Sequence, residues 1–126
     1  MDALTPDADL DADQAAEEQD RLYCATCDAA VASTHDVFAL DGTTAVRAFT
    51  NPAGIRFEVI TVTEAAVVGI GPAVAAHTWF AGYAWQIAQC ARCGVHLGWR
   101  YHGAGRPRHF VGLIRDRLRG AAGHAP

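Results

Sequence analysis

The chain contains no lysine and a single methionine, and its ten bases are all arginine. It has no apolar run near the roughly 20 residues that cross a bilayer as a helix. Its N-terminus, MDALTPDADLDAD, has neither the basic start nor the apolar stretch of a secretory signal, so the cytoplasm is the expected compartment. Between His77 and His102 there is no Asp or Glu at all. Cysteine is scarce, with four residues, and without an export signal these read as metal ligands before disulfides.

A length of 126 residues suits one domain with a modest core, and a hydrophobic share of 51% marks a globular chain. The net charge of −4 hides an asymmetry. The first twenty residues carry eight acids and no base, whereas the rest carries six acids and ten bases. Residues 1–20 therefore read as a solvated, solubilising acidic tail, with a short helix conceivable across Asp13–Arg21. Residues 21–126 form the folded unit.

Within that unit the pattern is one of short strands. Arg21–Cys24 leads into a Cys24-Ala-Thr-Cys27 turn, and Val31–Leu40 holds a strand. Asp41-Gly42 signals a hairpin, Ala45–Thr50 a strand and Asn51-Pro52-Ala53-Gly54 a turn. Ile55, Phe57, Val59 and Thr61 alternate with Arg56, Glu58 and Ile60 as in a half-buried strand. Val67–Ile70 is a short run closed by Gly71-Pro72. Tyr83–Gln89 runs into Cys90-Ala-Arg-Cys93-Gly94. Val95, Leu97, Trp99 and Tyr101 share one face by strand period. Phe110–Ile114 is a last strand before a polar turn, Arg115–Arg119. The whole is an all-β reading.

Cys24, Cys27, Cys90 and Cys93 form two C-x-x-C pairs. Two disulfides within the pairs would close very small rings, a redox geometry rather than a framework. One structural zinc fits the spacing better, since two intervening residues let both sulfurs of a pair reach one ion. Gly94 suits the tight turn that closes the second pair. With 62 residues between Cys27 and Cys90, the ion acts as a long-range cross-link. By the loop-closure relation for covalent links it is worth about 4 kcal/mol. Four thiolates leave no position for a catalytic water, so the zinc is expected to be structural.

The three tryptophans, Trp79, Trp85 and Trp99, bracket the second cysteine pair. Converging rings make either a packed core or the walls of a cage. Trp79 and Trp85 flank a glycine turn, where chains are usually exposed, which favours a cage. Because the segment lacks a carboxylate, a neutral flat ligand fits better than a cation held by cation–π attraction. Backbone groups and His77 would supply the polar contacts.

The run His77-Thr-Trp-Phe-Ala-Gly-Tyr-Ala-Trp85, with Gln-Ile-Ala-Gln-Cys90-Ala-Arg-Cys93 and His96-Leu-Gly-Trp99, closely resembles cereblon-type thalidomide-binding (CULT) domains. Asn51-Pro52, the first cysteine pair and Phe110-Val-Gly-Leu113 fit as well, and the likeness spans roughly 21–119. The length is similar to that of bacterial single-domain members. The resemblance implies a β-tent fold: two antiparallel sheets set at a steep angle and pinned by a zinc on four cysteines. It also implies that Trp79, Trp85 and Trp99 cage a glutarimide ring, with hydrogen bonds from the His77–Thr78–Trp79 segment. The His77 C=O would accept the imide N–H, the Trp79 N–H would donate to an imide carbonyl, and the His77 side chain would assist. Tyr101 would close the cage, and Asn51, Pro52 and Phe57 would line its mouth. Ala53 departs from a polar position in mammalian members, which alters contacts to the outer part of a ligand. The ligands implied are thalidomide-type drugs, uridine-like rings and peptides ending in a cyclised Asn or Gln imide. Without a preceding LON-like domain, no ubiquitin-ligase adaptor surface is expected, and the chain is expected to be a monomer.

Two other classes remain. One is an enzyme: the implied fold resembles zinc-containing methionine sulfoxide reductases, but every cysteine is assigned to zinc, and only hydrolysis of a bound ring with His77 as base is left. His35, His96, His102, His109 and His124 are scattered and suggest surface positions. The other is single-stranded nucleic-acid binding, through the aromatics and the Arg106, Arg108, Arg115, Arg117 and Arg119 cluster. The acidic tail opposes it, and a solvated arginine face is the plainer account.

Overall fold

The computed structural model describes residues 20–42 and 44–120. The acidic segment 1–19, and with it most of the helix conceivable across Asp13–Arg21, lies outside the described residues, as does His124. Asp20, counted above with the tail, is a turn residue whose C=O accepts the Thr34 N–H at 2.7 Å.

Among the described residues, nine strands make two antiparallel sheets. Strands β1 (Arg21–Cys24), β2 (Ala30–Ser33) and β9 (Leu118–Arg119) form a three-stranded sheet in the order β2-β1-β9. Strands β3 (Val46–Thr50), β4 (Arg56–Val62), β5 (Val67–Val74), β6 (Tyr83–Cys90), β7 (His96–Gly103) and β8 (His109–Ile114) form a six-stranded sheet in the order β3-β4-β8-β7-β6-β5. The only helical turns among the described residues are short 3-10 segments at Thr34–Asp36 and Arg115–Arg117.

The interior is split in two. One core, centred on Val31, Ile60, Val62, Val67, Ala88, Leu97, Val111 and Leu113, lies around the cysteines. The second is aromatic: Phe80, Tyr83, Tyr101 and Phe110 are buried, with Phe49, Trp79, Trp85 and Trp99 packed on them. The second half of β4, from Val59 to Val62, is buried on both faces and loses the alternation that its sequence suggests.

Four local readings are corrected. First, Val95 and Leu97 pack into the cysteine-side core while Trp99 and Tyr101 belong to the aromatic one. A register shift at Ala88/Gln89 on the neighbouring strand breaks the period there, as a bulge does. Second, β5 runs on through Gly71-Pro72 to Val74. It is an edge strand, where a missing N–H costs nothing on the open side, and its register slips between Ile70 and Val74. Third, Asp41-Gly42 lies in a turn but makes no hairpin. The segments on either side both run antiparallel to β4, where the Phe38 N–H donates to the Thr61 C=O and the Thr61 N–H to the Ala45 C=O. Fourth, the polar end is not only a turn, since Leu118–Arg119 pairs with Tyr23–Cys24.

Gly98 allows the close crossing of β7 and β8. A Cβ there would fall 1.9 Å from the Gly112 carbonyl oxygen.

Candidate functional site: a metal centre and an aromatic cavity

The cysteine turns are built alike. In the first, the Cys24 N–H donates to the Ala29 C=O and the Asp28 N–H to the Cys24 C=O. In the second, the Cys90 N–H donates to the Val95 C=O and the Gly94 N–H to the Cys90 C=O. Cys24 ends β1 of the small sheet, and Cys90 ends β6 of the large one. The four sulfurs lie within 4.8 Å of one another, with Cys24–Cys93 and Cys27–Cys90 both at 3.7 Å. Four sulfurs about 2.3 Å from one ion in a tetrahedron stand about 3.8 Å apart, so the cluster could hold one zinc with little movement. Such an ion would tie the two sheets together.

The thiols are not equivalent before metal arrives. Burial raises the Cys90 thiol, but the N–H groups of Cys93 and Arg92 outweigh it and hold the group at about 7. For Cys27 the Ala29 N–H favours the thiolate, yet burial and the other three sulfurs carry the group to about 11. A bound dication would deprotonate all four.

The second feature is a cavity of about 500 Å³ lined by Asn51, Pro52, Phe57, His77, Trp79, Trp85, Trp99 and Tyr101, with Ile87 and His96. Eight of the nine residues expected at a ligand site thus share one cavity. Thr78 does not line it: its hydroxyl meets the N–H and C=O of Phe80 and shapes the loop. Among the described residues, no acidic side chain lines the cavity.

Strand pairing sets the walls. Trp85 faces Tyr101 and Ile87 faces Trp99 across β6 and β7. Trp79 comes from the loop before β6, stacks on Phe49 (4.9 Å, 6°) and meets Trp99 edge to face (4.8 Å, 76°). Phe57 packs edge-on to Trp99 at 5.3 Å. Trp85 is tied to the same loop, its indole N–H donating to the Ala76 C=O at 2.7 Å. Tyr101 is floor rather than lid: it is buried, stacked on Phe110 at 4.9 Å, and burial pushes its hydroxyl far above its ordinary value. All three indoles are half-buried, which is neither a sealed core nor a free surface.

At the rim, His77 is exposed and holds a left-handed backbone (φ 60°), a conformation non-glycine residues rarely adopt. The loop's internal hydrogen bonds run through the N–H groups of Thr78 and Phe80. Among the described residues, the His77 C=O and the Trp79 N–H have no partner.

Sequence reading missed two lining residues. Ile87 is two positions from Trp85 on one strand, so its face was legible. His96 is three from Trp99, on opposite faces of a regular strand; the irregular pairing at Gln89 brings the rings to 5.1 Å. His96 is half-buried, its Nε2 is 2.9 Å from the Gly98 C=O, and burial, with the nearby Arg117, holds it below its ordinary value. Arg117 also donates to the His96 C=O (2.9 Å), and its guanidinium lies 5.9 Å from the Phe57 ring centre. The Ala25 N–H in the first cysteine turn donates to the Arg117 C=O. Metal centre and cavity therefore share a strut.

The arginine cluster does not form one solvated face. Arg115 pairs with Glu58, Arg117 is engaged as above, and Arg119 pairs with Asp28 over the Tyr23 ring.

Two sheets joined at a four-cysteine cluster that could hold one metal ion, beside an aromatic cavity, define the class of this all-β domain. Its relatives make the type specific. No family model matches the chain. It is 37% identical over 102 residues to protein cereblon of Danio rerio, and 36% and 34% identical over the same length to those of Gallus gallus and Xenopus tropicalis. These matches cover 77% of the chain, which spans about a quarter of the length of these relatives (24%, 23% and 23%). The chain carries a cereblon-type domain. Among the described residues, no helix is long and apolar enough to cross a membrane.

Proposed function

We propose that the aromatic cavity binds cyclic imides: glutarimide rings, including those of thalidomide-type drugs, uridine-like rings and the cyclised imide at a peptide C-terminus. The observation that carries this reading is the indole-walled cavity without a carboxylate, with one backbone acceptor and one donor, His77 C=O and Trp79 N–H, at its rim. A cyclic imide has a matching edge of N–H and carbonyls, and an aliphatic edge that packs on indole faces. A cation would find no counter-charge there. The half-burial of the three indoles fits walls that are completed by a ligand.

The four cysteines hold zinc structurally, and the protein acts by binding rather than by catalysis. No cysteine is left over as a nucleophile.

Tryptophan emission of the zinc-loaded protein, titrated with glutarimide, succinimide, uridine and a peptide ending in a cyclic imide, tests this. Saturable changes with the imides, lost in Trp99→Ala, support it. No response to any imide overturns it. Recovery of unchanged ligand after long incubation separates binding from hydrolysis.

A further inference from the structure

On the other face of β7 from Tyr101 lies a histidine pair that the cavity does not use. His102 of β7 and His109, the first residue of β8, are direct cross-strand partners. The adjoining Gly103 N–H donates to the Arg108 C=O at 2.8 Å, so the histidines fall at the non-hydrogen-bonded step of the ladder, where facing side chains stand closest. Their Nδ1 atoms are 3.0 Å apart, with the rings at 71°.

Gln86 of β6 completes the group. Its amide nitrogen donates to the Gly71 C=O at 2.7 Å, which turns its oxygen toward His102 Nε2, 2.8 Å away. Gly69 gives the amide its seat, since a Cβ there would lie 2.3 Å from the Gln86 oxygen. An oxygen acceptor at that distance requires the proton on His102 Nε2. A neutral imidazole carries one such proton, so His102 Nδ1 holds a lone pair and His109 Nδ1 donates to it. The tautomer of His102 is fixed by a chain that starts at the backbone of β5.

We propose that His102 and His109 bind a divalent transition metal, copper(II) or nickel(II), through their two Nδ1 atoms. The Gln86 amide acts as the oriented partner that metal-bound imidazoles usually have on the far nitrogen. Two nitrogens 3.0 Å apart and about 2.0 Å from an ion subtend about 97°, close to the cis angle of square-planar or octahedral sites. A tetrahedral ion would need them about 3.3 Å apart. On binding, the proton between the rings leaves His109 Nδ1 and is retained on its Nε2 through solvent, because His109 is exposed. No net proton is released when both rings start neutral, and water fills the remaining positions. Arg100, two residues before His102 on the same face of β7, is a nearby cation. Its guanidinium is turned to the Val67 and Ala65 carbonyls and Glu64, which leaves the imidazole pair to a strongly imidazole-seeking ion.

The test is a Cu²⁺ titration of the zinc-loaded full chain, followed by electron paramagnetic resonance, visible absorption and zinc content. The expected result is one Cu²⁺ per chain with a tetragonal signal carrying two nitrogen couplings and no loss of zinc. His102→Ala and His109→Ala should each weaken binding at least about tenfold, and Gln86→Ala about tenfold. The exposed control His35→Ala should leave it unchanged. Circular dichroism of the variants verifies folding. Undiminished copper binding in the His102→Ala/His109→Ala double variant overturns the proposal, as does copper that enters only with sulfur charge-transfer bands and zinc loss.

Discussion

Asp28 and Gly94 occupy the same left-handed position in the two cysteine turns, at φ 66° and 83°, each donating its N–H to the carbonyl of the turn's first cysteine. Glycine enters that conformation freely, and aspartate is among the few other residues that tolerate it. Gly94→Ala should therefore cost about 1 kcal/mol, and Gly94→Asn distinctly less. Urea unfolding of the zinc-loaded variants measures this; equal stability of the Ala and Asn variants would contradict the shared geometry.

The metal centre joins Cys24 and Cys27 of one sheet region to Cys90 and Cys93 of the other. Cys24→Ser or removal of the ion by a chelator should lower stability by about 4 kcal/mol if the centre acts as a cross-link over that span. Native mass spectrometry should find one zinc per wild-type chain. A fully stable, metal-free protein with two disulfides would refute the centre.

For the cavity, methylating the imide nitrogen should cut affinity roughly 5- to 150-fold. The methylated ring has no N–H for the His77 carbonyl, which a bound ligand would cover and cut off from water, a loss of about 1–3 kcal/mol. Isothermal titration with the paired ligands decides it, and equal affinities would reject the pose.

His96 is held below its ordinary value of 6.5 by burial and Arg117. Its folded form prefers the neutral ring. As pH falls below 6.5, the unfolded chain takes up a proton that the folded chain refuses until its own lower value is reached. This group's contribution is therefore complete above 6.5 and lost progressively between 6.5 and the depressed value. His96→Asn should flatten that part of the stability profile, read from thermal melts between pH 5.5 and about 7.5.

Gly98→Ala should be among the most damaging single changes. Its Cβ would meet the Gly112 carbonyl oxygen, a backbone atom that cannot rotate away. A cost above about 2 kcal/mol is expected, with tryptophan emission altered because Trp99 is adjacent. A wild-type melting temperature would show that β7 and β8 can separate at no cost.

The strands whose apolar residues alternate or cluster between turn signals, such as Val46–Thr50 and His109–Ile114, were legible because local pattern reflects a local requirement. So were the cysteine pairs, since zinc binding constrains spacing within each pair. The edge run of β5 through Gly71-Pro72 was not legible: Pro72 is tolerated there only because no strand pairs on its outer side. The two-residue β9 was hidden because its only reason to be extended is Tyr23–Cys24, far away in the chain.

By itself, the sequence determined an all-β chain, four thiols at metal spacing and three indoles gathered around the second cysteine pair. These properties depend on residue type and near-neighbour spacing. Tertiary structure alone decided the rest. It sent Leu97 and Trp99 to different cores across one irregular step. It brought His96 to Trp99, ran Arg117 between metal centre and cavity wall, and faced His102 with His109. Each of these depends on which strands lie side by side and in what register, and register is a property of long-range pairing that no stretch of sequence carries alone.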